Sequence, residues 1–96
     1  MANLLRFKIR EATVALRETI IEKFNEALEQ IDSDKEYLTI RDEQILLDTD
    51  LDSLGFAILV ALLDEELGFD PFQLMQTPVY PTTFGEFVNI YENANG

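Results

Sequence analysis

Residues 51–69 read LDSLGFAILVALLDEELGF, the densest apolar stretch of the chain. From about 53 to 67 it is long enough for roughly four helical turns. Asp50, Asp52 and Ser53 each offer a side-chain oxygen for the N-cap, and Gly68 offers the C-cap. Residues 56–63, FAILVALL, are apolar without a break, more than one buried helix face requires. Leu59, Leu62, Leu63 and Leu67 form the expected core face. Ala57, Ile58 and Ala61 are then left for a partner or a bound chain, unless the preceding loop covers them.

Working outward, the pattern stays helical. Leu16, Ile20, Phe24 and Leu28 recur every fourth residue, with Ala27 and Ile31 filling the stripe. They predict a helix over 12–31. Leu4, Leu5, Phe7 and Ile9 either extend it backwards or pack as a separate turn. DSDKE at 32–36 supplies turn residues. Residues 37–52 read as a long loop with apolar anchors, and Ile45, Leu46 and Leu47 are expected to tuck under the helices. YLTI at 37–40 alternates like a strand, but a lone strand leaves its backbone unpaired. Asp70-Pro71 predicts a short helix over Phe72, Leu74 and Met75, stopped by Pro78 and Pro81. TFGE at 83–86 matches a capping box, and Phe84, Phe87, Val88 and Tyr91 share one face of the helix it opens. The expected fold class is all-α: four helices, the third short, with a long loop after the first. Nothing repeats, and one domain spans 1–96, with 1–11 as an N-terminal extension and 12–94 as the bundle.

Composition limits the chemistry. The 96 residues include no cysteine and no histidine. That removes a catalytic thiol, a thiolate metal site, and the commonest general base and transition-metal ligand. The start of the chain lacks a signal-peptide apolar run, and no segment reaches the roughly 20 apolar residues of a membrane span. A cytoplasmic protein is expected, without a membrane span and monomeric. The net charge is −12. All seven basic residues lie in the first 41 positions, while Asp42 to Gly96 holds eleven acids and no Lys or Arg. This half cannot neutralise nucleic-acid phosphates. It suits basic protein surfaces and cations, or serves only as a solvated acidic face.

Ser53 follows Asp52 at the mouth of the apolar stretch and admits three readings. It is a helix cap. It is a nucleophile, against which stand the absent histidine and the absent G-x-S-x-G elbow. Or it is a substrate that another enzyme modifies; a phosphate ester there would face the positive end of the helix dipole and free backbone N–H groups. A fourth motif overlaps. Asp48, Asp50 and Asp52 stand at positions 1, 3 and 5 of an EF-hand loop, but Ser53 replaces its glycine and Leu59 its last glutamate. Only weak divalent-cation binding at Asp48, Asp50 and Asp52 is expected.

LDSLGFAILVALLDEELGFD resembles the modification-site helix of acyl carrier proteins and their peptidyl carrier relatives. The order of elements over 12–94, the DEE run at 64–66 and the closing TTFGEFVNIY agree with it. The resemblance implies a four-helix bundle of acyl-carrier type without catalytic activity of its own. It implies that Ser53 carries 4′-phosphopantetheine from coenzyme A, whose thiol holds acyl or aminoacyl groups as thioesters for lipid, fatty-acid or secondary-metabolite biosynthesis. Asp52 then corresponds to the aspartate that helps a phosphopantetheinyl transferase place magnesium and coenzyme A. Leu54 corresponds to the apolar residue beside the arm. Asp64 and Glu65 correspond to acids that meet basic partner surfaces, and Ala57, Ile58 and Ala61 join them as partner-binding candidates. Further partners implied are an acyl or aminoacyl ligase or synthase and a downstream acyltransferase or condensing enzyme. The chain departs from the family at Asp50, where many members have glycine, and at Gly55 and Ile58, where many fatty-acid carriers have acids. These departures point to a dedicated carrier for one pathway. The rival reading is an unmodified acidic helical adaptor for a basic protein.

Overall fold

A computed structural model describes residues 2–73, 75 and 80–94, with side chains described from residue 15 onward. Among these residues the protein is all-α: α1 (Ala2–Gln30), α2 (Ser53–Leu67) and α3 (Phe84–Ala94), with a 3-10 turn at Leu46–Asp48. The apolar residues before position 12 belong to α1, which runs on without a break.

The three helices meet along the stripes their sequences predict. Ile20, Phe24, Ala27 and Leu28 of α1 are buried. So are Leu59 and Leu63 of α2, one helical turn apart, and Phe84, Phe87, Val88 and Tyr91 of α3. Leu16, Ile31, Leu62 and Leu67 pack at the edges of this core. Burying each large side chain contributes about 1.5–3 kcal/mol, so these few contacts dominate the favourable side of folding. The Tyr91 hydroxyl has no hydrogen-bond partner among the described residues. Burial, followed by the charges of Asp70 and Asp64, holds this phenol protonated well above the usual tyrosine range.

The helix ends are local chemistry. α1 stops in a Schellman motif: Asp32 takes φ 62°, Ser33 N–H donates to Leu28 O (3.0 Å) and Asp32 N–H to Glu29 O (3.1 Å). Gly68 closes α2 at φ 86°, donating to Asp64 O at 2.8 Å. At α3, Thr83 Oγ1 accepts from Glu86 N–H (3.2 Å), while the Glu86 carboxylate accepts from Thr82 N–H (2.7 Å). The expected capping box therefore closes one residue further back than its standard form.

The long loop between α1 and α2 is fastened at three places. The Asn25 carboxamide donates to Tyr37 O (2.7 Å) and accepts from Tyr37 N–H (2.8 Å). The Arg17 guanidinium donates to Ile40 O (2.6 Å), pairs with Asp42 (2.7 Å) and lies 5.1 Å over the Phe84 ring. Finally, Ile45 bridges Thr83, Leu46 N–H donates to Thr82 O (3.0 Å) and Phe84 N–H to Gln44 O (2.8 Å).

Two expectations change. Of the three anchors at 45–47, Leu46 alone is buried; Ile45 is 41% and Leu47 86% exposed, because a 3-10 turn sends neighbouring side chains in different directions. Over 71–73 the chain makes a turn where a short helix was expected. Asp70 accepts from Phe72 N–H (2.9 Å), and the bonds that follow span three residues, Gln73 to Asp70 and Met75 to Phe72. Phe72 is drawn inward against Phe56, Phe87 and Tyr91, which explains the tight turn. Leu74 and Pro78 lie outside the described residues.

Candidate functional site

The site is the entry to α2. Leu51 is buried and anchors it. Asp52, with extended backbone, is the N-cap: its Oδ1 accepts from Gly55 N–H at 2.7 Å. Ser53 is thereby released from capping and becomes the first helical residue, exposed to solvent. The N–H groups of the first turn have no intrahelical acceptor; Asp52 takes that of Gly55, leaving those of Ser53 and Leu54. Leu54 is 62% exposed beside them.

Gly55 is buried where α2 passes the end of α1. A Cβ here would lie 2.9 Å from Leu51 Cδ1 and 3.1 Å from Ile31 Cδ1. The departure at position 55 thus has a packing reason, since a carboxylate would enter an apolar contact.

Asp50 is a second departure. It sits at φ 60°, the left-handed region that glycine enters without penalty. Its carboxylate meets the Lys35 ammonium (3.2 Å) and accepts from Ser33 Oγ (3.0 Å). These bonds, Lys35 first, hold its carboxyl below the usual carboxylate range. The expected weak cation site at Asp48, Asp50 and Asp52 does not form. Asp50 is taken by Lys35 and Ser33, Asp52 by the helix cap, and no metal-holding group of three appears among the described residues.

Beside Ser53 opens an apolar cleft of about 640 Å³. Leu46, Leu51, Phe56, Val60 and Phe72 form its depth; Leu47, Ala57, Tyr80 and Thr82 line it nearer solvent, and Asp52 and Ser53 flank its mouth. Phe56 organises this wall, with ring centroids 5.6 Å from Phe72 and 5.7 Å from both Tyr80 and Phe87. Leu47 and Tyr80 are cleft residues the sequence reading missed. The available signal was two large apolar residues, each beside a turn or proline, close in sequence to elements that flank Ser53.

Along α2 the partner candidates divide. Ala57 and Ala61 are exposed as expected. Ile58 is half-buried and packs on the core, so it is not a free surface residue. Asp64, Glu65 and Glu66 are exposed at the far end, eleven or more residues from Ser53 and so about 17 Å away along the axis. Glu66 alone approaches a cation, Lys23, at 3.9 Å.

No protein-family model, curated protein or solved structure matches this chain. Its chemistry is therefore read from these residues.

Proposed function

We propose that this chain is a carrier protein of acyl-carrier type, with Ser53 as the attachment point of a 4′-phosphopantetheine arm. The observation that carries the reading is an exposed serine hydroxyl fixed at the first position of a helix, beside an aspartate cap and an apolar cleft. The chain has no histidine or cysteine to activate that hydroxyl, so the chemistry comes from a modifying enzyme.

The residues fit a phosphodiester at Ser53. The N–H groups of Ser53 and Leu54 and the positive end of α2 would face its charge. On attachment Ser53 Oγ bonds to the phosphorus nearest the pantetheine of coenzyme A. The bridging P–O bond breaks, adenosine 3′,5′-bisphosphate leaves, and the hydroxyl proton passes to a base of the transferase. Once bound, the arm supplies a thiol that holds acyl or aminoacyl loads as thioesters. Asp52 is exposed, and with its Oδ1 on Gly55 N–H its other carboxylate oxygen is left to meet the transferase and its magnesium. Among the described residues no helix is long and apolar enough to cross a membrane.

In this reading the chain is non-catalytic and works in the cytoplasm as a monomer. Its fold class is the four-helix bundle of acyl-carrier type. It serves a transferase, a ligase or synthase that loads it, and an acyltransferase or condensing enzyme that unloads it. Leu54, Ala57 and Ala61 offer these partners an apolar strip near the arm, and Asp64 and Glu65 offer charge further on.

The test is intact mass after incubation with coenzyme A, magnesium and a broad-specificity phosphopantetheinyl transferase. The chain should gain one phosphopantetheine, and Ser53→Ala should gain none. An unmodified wild-type chain refutes the carrier and leaves the acidic adaptor. An adduct on Ser53→Ala refutes the site.

A further inference from the structure

The segment leaving α1 and the segment entering α2 are joined by one small clamp. The Schellman end of α1 turns at Asp32 and delivers Ser33 and Lys35 to Asp50. Ser33 Oγ donates to Asp50 Oδ2 at 3.0 Å, and Lys35 Nζ lies 3.2 Å from Asp50 Oδ1. Ser33 Oγ in turn accepts from Lys35 N–H at 3.2 Å. Both carboxylate oxygens of Asp50 are thus occupied by the same short segment.

Asp50 needs such support. At φ 60° a residue with a Cβ is disfavoured, and aspartate holds that conformation best when its side chain is bonded locally. Without the clamp the backbone of residue 50 would sample its ordinary negative-φ wells. Asp52, two residues on, carries the cap, and Ser53 follows. A swing at residue 50 therefore displaces the cap bond to Gly55 and the hydroxyl together.

We propose that Lys35 and Ser33 are positioning residues for the modification of Ser53, acting through the left-handed turn at Asp50. This rests on the reading of Ser53 as the attachment point. The ion pair is nearly half exposed, 46% at Lys35 and 43% at Asp50. Salt screens it, so ionic strength sets how often the turn is ready for the transferase.

Two readouts test the clamp, with a thermal melt beside each. One is hydrogen exchange of the Gly55 amide by NMR, which reports the cap at 2.7 Å from Asp52. The other is the initial rate of adduct formation on the full chain with coenzyme A, magnesium and the transferase. Lys35→Met and Asp50→Ala should speed Gly55 exchange about three- to tenfold and lower the rate of adduct formation by a similar factor, as the competent fraction falls. Asp50→Gly removes the ion pair as well, yet glycine takes positive φ unaided. It should restore both readouts to within about twofold of wild type and remove the salt sensitivity expected of the wild-type ion pair. A residue important only for stability would give no such rescue. Unchanged Gly55 exchange in Lys35→Met and Asp50→Ala overturns the clamp, as does an Asp50→Gly chain as impaired as Asp50→Ala. A wild-type chain that never takes the adduct overturns the carrier reading instead, and Gly55 exchange then decides the clamp alone.

Discussion

Ile58→Glu tests how α2 divides its apolar surface. The sequence leaves Ile58 for a partner, whereas the structure packs it, half-buried, against the core. Burying a whole isoleucine side chain contributes about 1.5–3 kcal/mol, so the half that is buried here contributes about 1 kcal/mol. Glutamate forfeits that contact and brings a carboxylate to the core edge, raising the total loss to about 1–2 kcal/mol. For a domain of this size each kcal/mol lowers Tm by about 4–8 °C, so a fall of about 5–15 °C is expected. The assay is a far-UV circular dichroism melt, run beside Ala57→Glu and Ala61→Glu as exposed neighbours. Those two controls should stay within about 0.5 kcal/mol of wild type. If Ile58→Glu melts with the controls, its core contact is energetically empty and the surface assignment of the sequence is restored. Any change in partner preference caused by this substitution has to be measured well below the lowered Tm.

The cap assignment predicts that Asp52→Ala lowers stability by about 1 kcal/mol while Ser53→Ala stays within about 0.5 kcal/mol, measured by urea denaturation; equal losses would return the cap to Ser53. Gly85→Ala should destabilise by about 1–2 kcal/mol despite the better helix propensity of alanine. Its Cβ would stand 2.8 Å from Asp42 Cβ and 3.1 Å from Asp42 O, pushing the loop off Arg17, and a melt at or above wild type would contradict this. Acid provides the fourth test. Lys35 and then Ser33 lower the Asp50 pKa in the folded state, so its contribution is complete above the unfolded value of about 3.9 and fades as pH falls through the folded one. Asp50→Asn should therefore flatten part of the Tm decline below about pH 4 and leave the slope between about pH 6 and 8 unchanged; an unaltered acid limb would refute the clamp's charge coupling.

Features written in short-range chemistry were legible in the sequence. The limits of α2, the stop at Gly68, the opening of α3 and the buried face Phe84, Phe87, Val88 and Tyr91 all follow from spacing and caps. Asp52 and Ser53 were both visible as cap candidates, but which of them caps depends on backbone angles that two adjacent oxygens do not reveal. The loop fastenings were not legible. Arg17 reaches a carbonyl 23 residues away and Asn25 one 12 residues away. No periodicity encodes a polar side chain that pairs with distant backbone. Ile58 and Leu47 failed for a related reason. Periodicity gives the direction of a side chain, while burial depends on which segment lies opposite, and that is a long-range property. At the site, the Ser53 turn was legible and the cleft wall was not, because Leu47, Phe56 and Tyr80 come together only when the loop, α2 and the approach to α3 meet.

Asn25 has a consequence for how freely this chain can drift. Among the described residues its carboxamide bonds to the backbone of Tyr37, donating to the carbonyl and accepting from the N–H. Almost any side chain at position 37 keeps those two backbone atoms, apart from proline, so this fastening tolerates substitution on the loop side. The helix side has no such freedom. Aspartate would offer acceptors without a donor, leucine neither, and glutamine would carry the same pair one methylene too far. A single position on α1 thus bears the constraint for a join that spans two segments, and spontaneous deamidation at that one residue would undo half of it without any change in the gene.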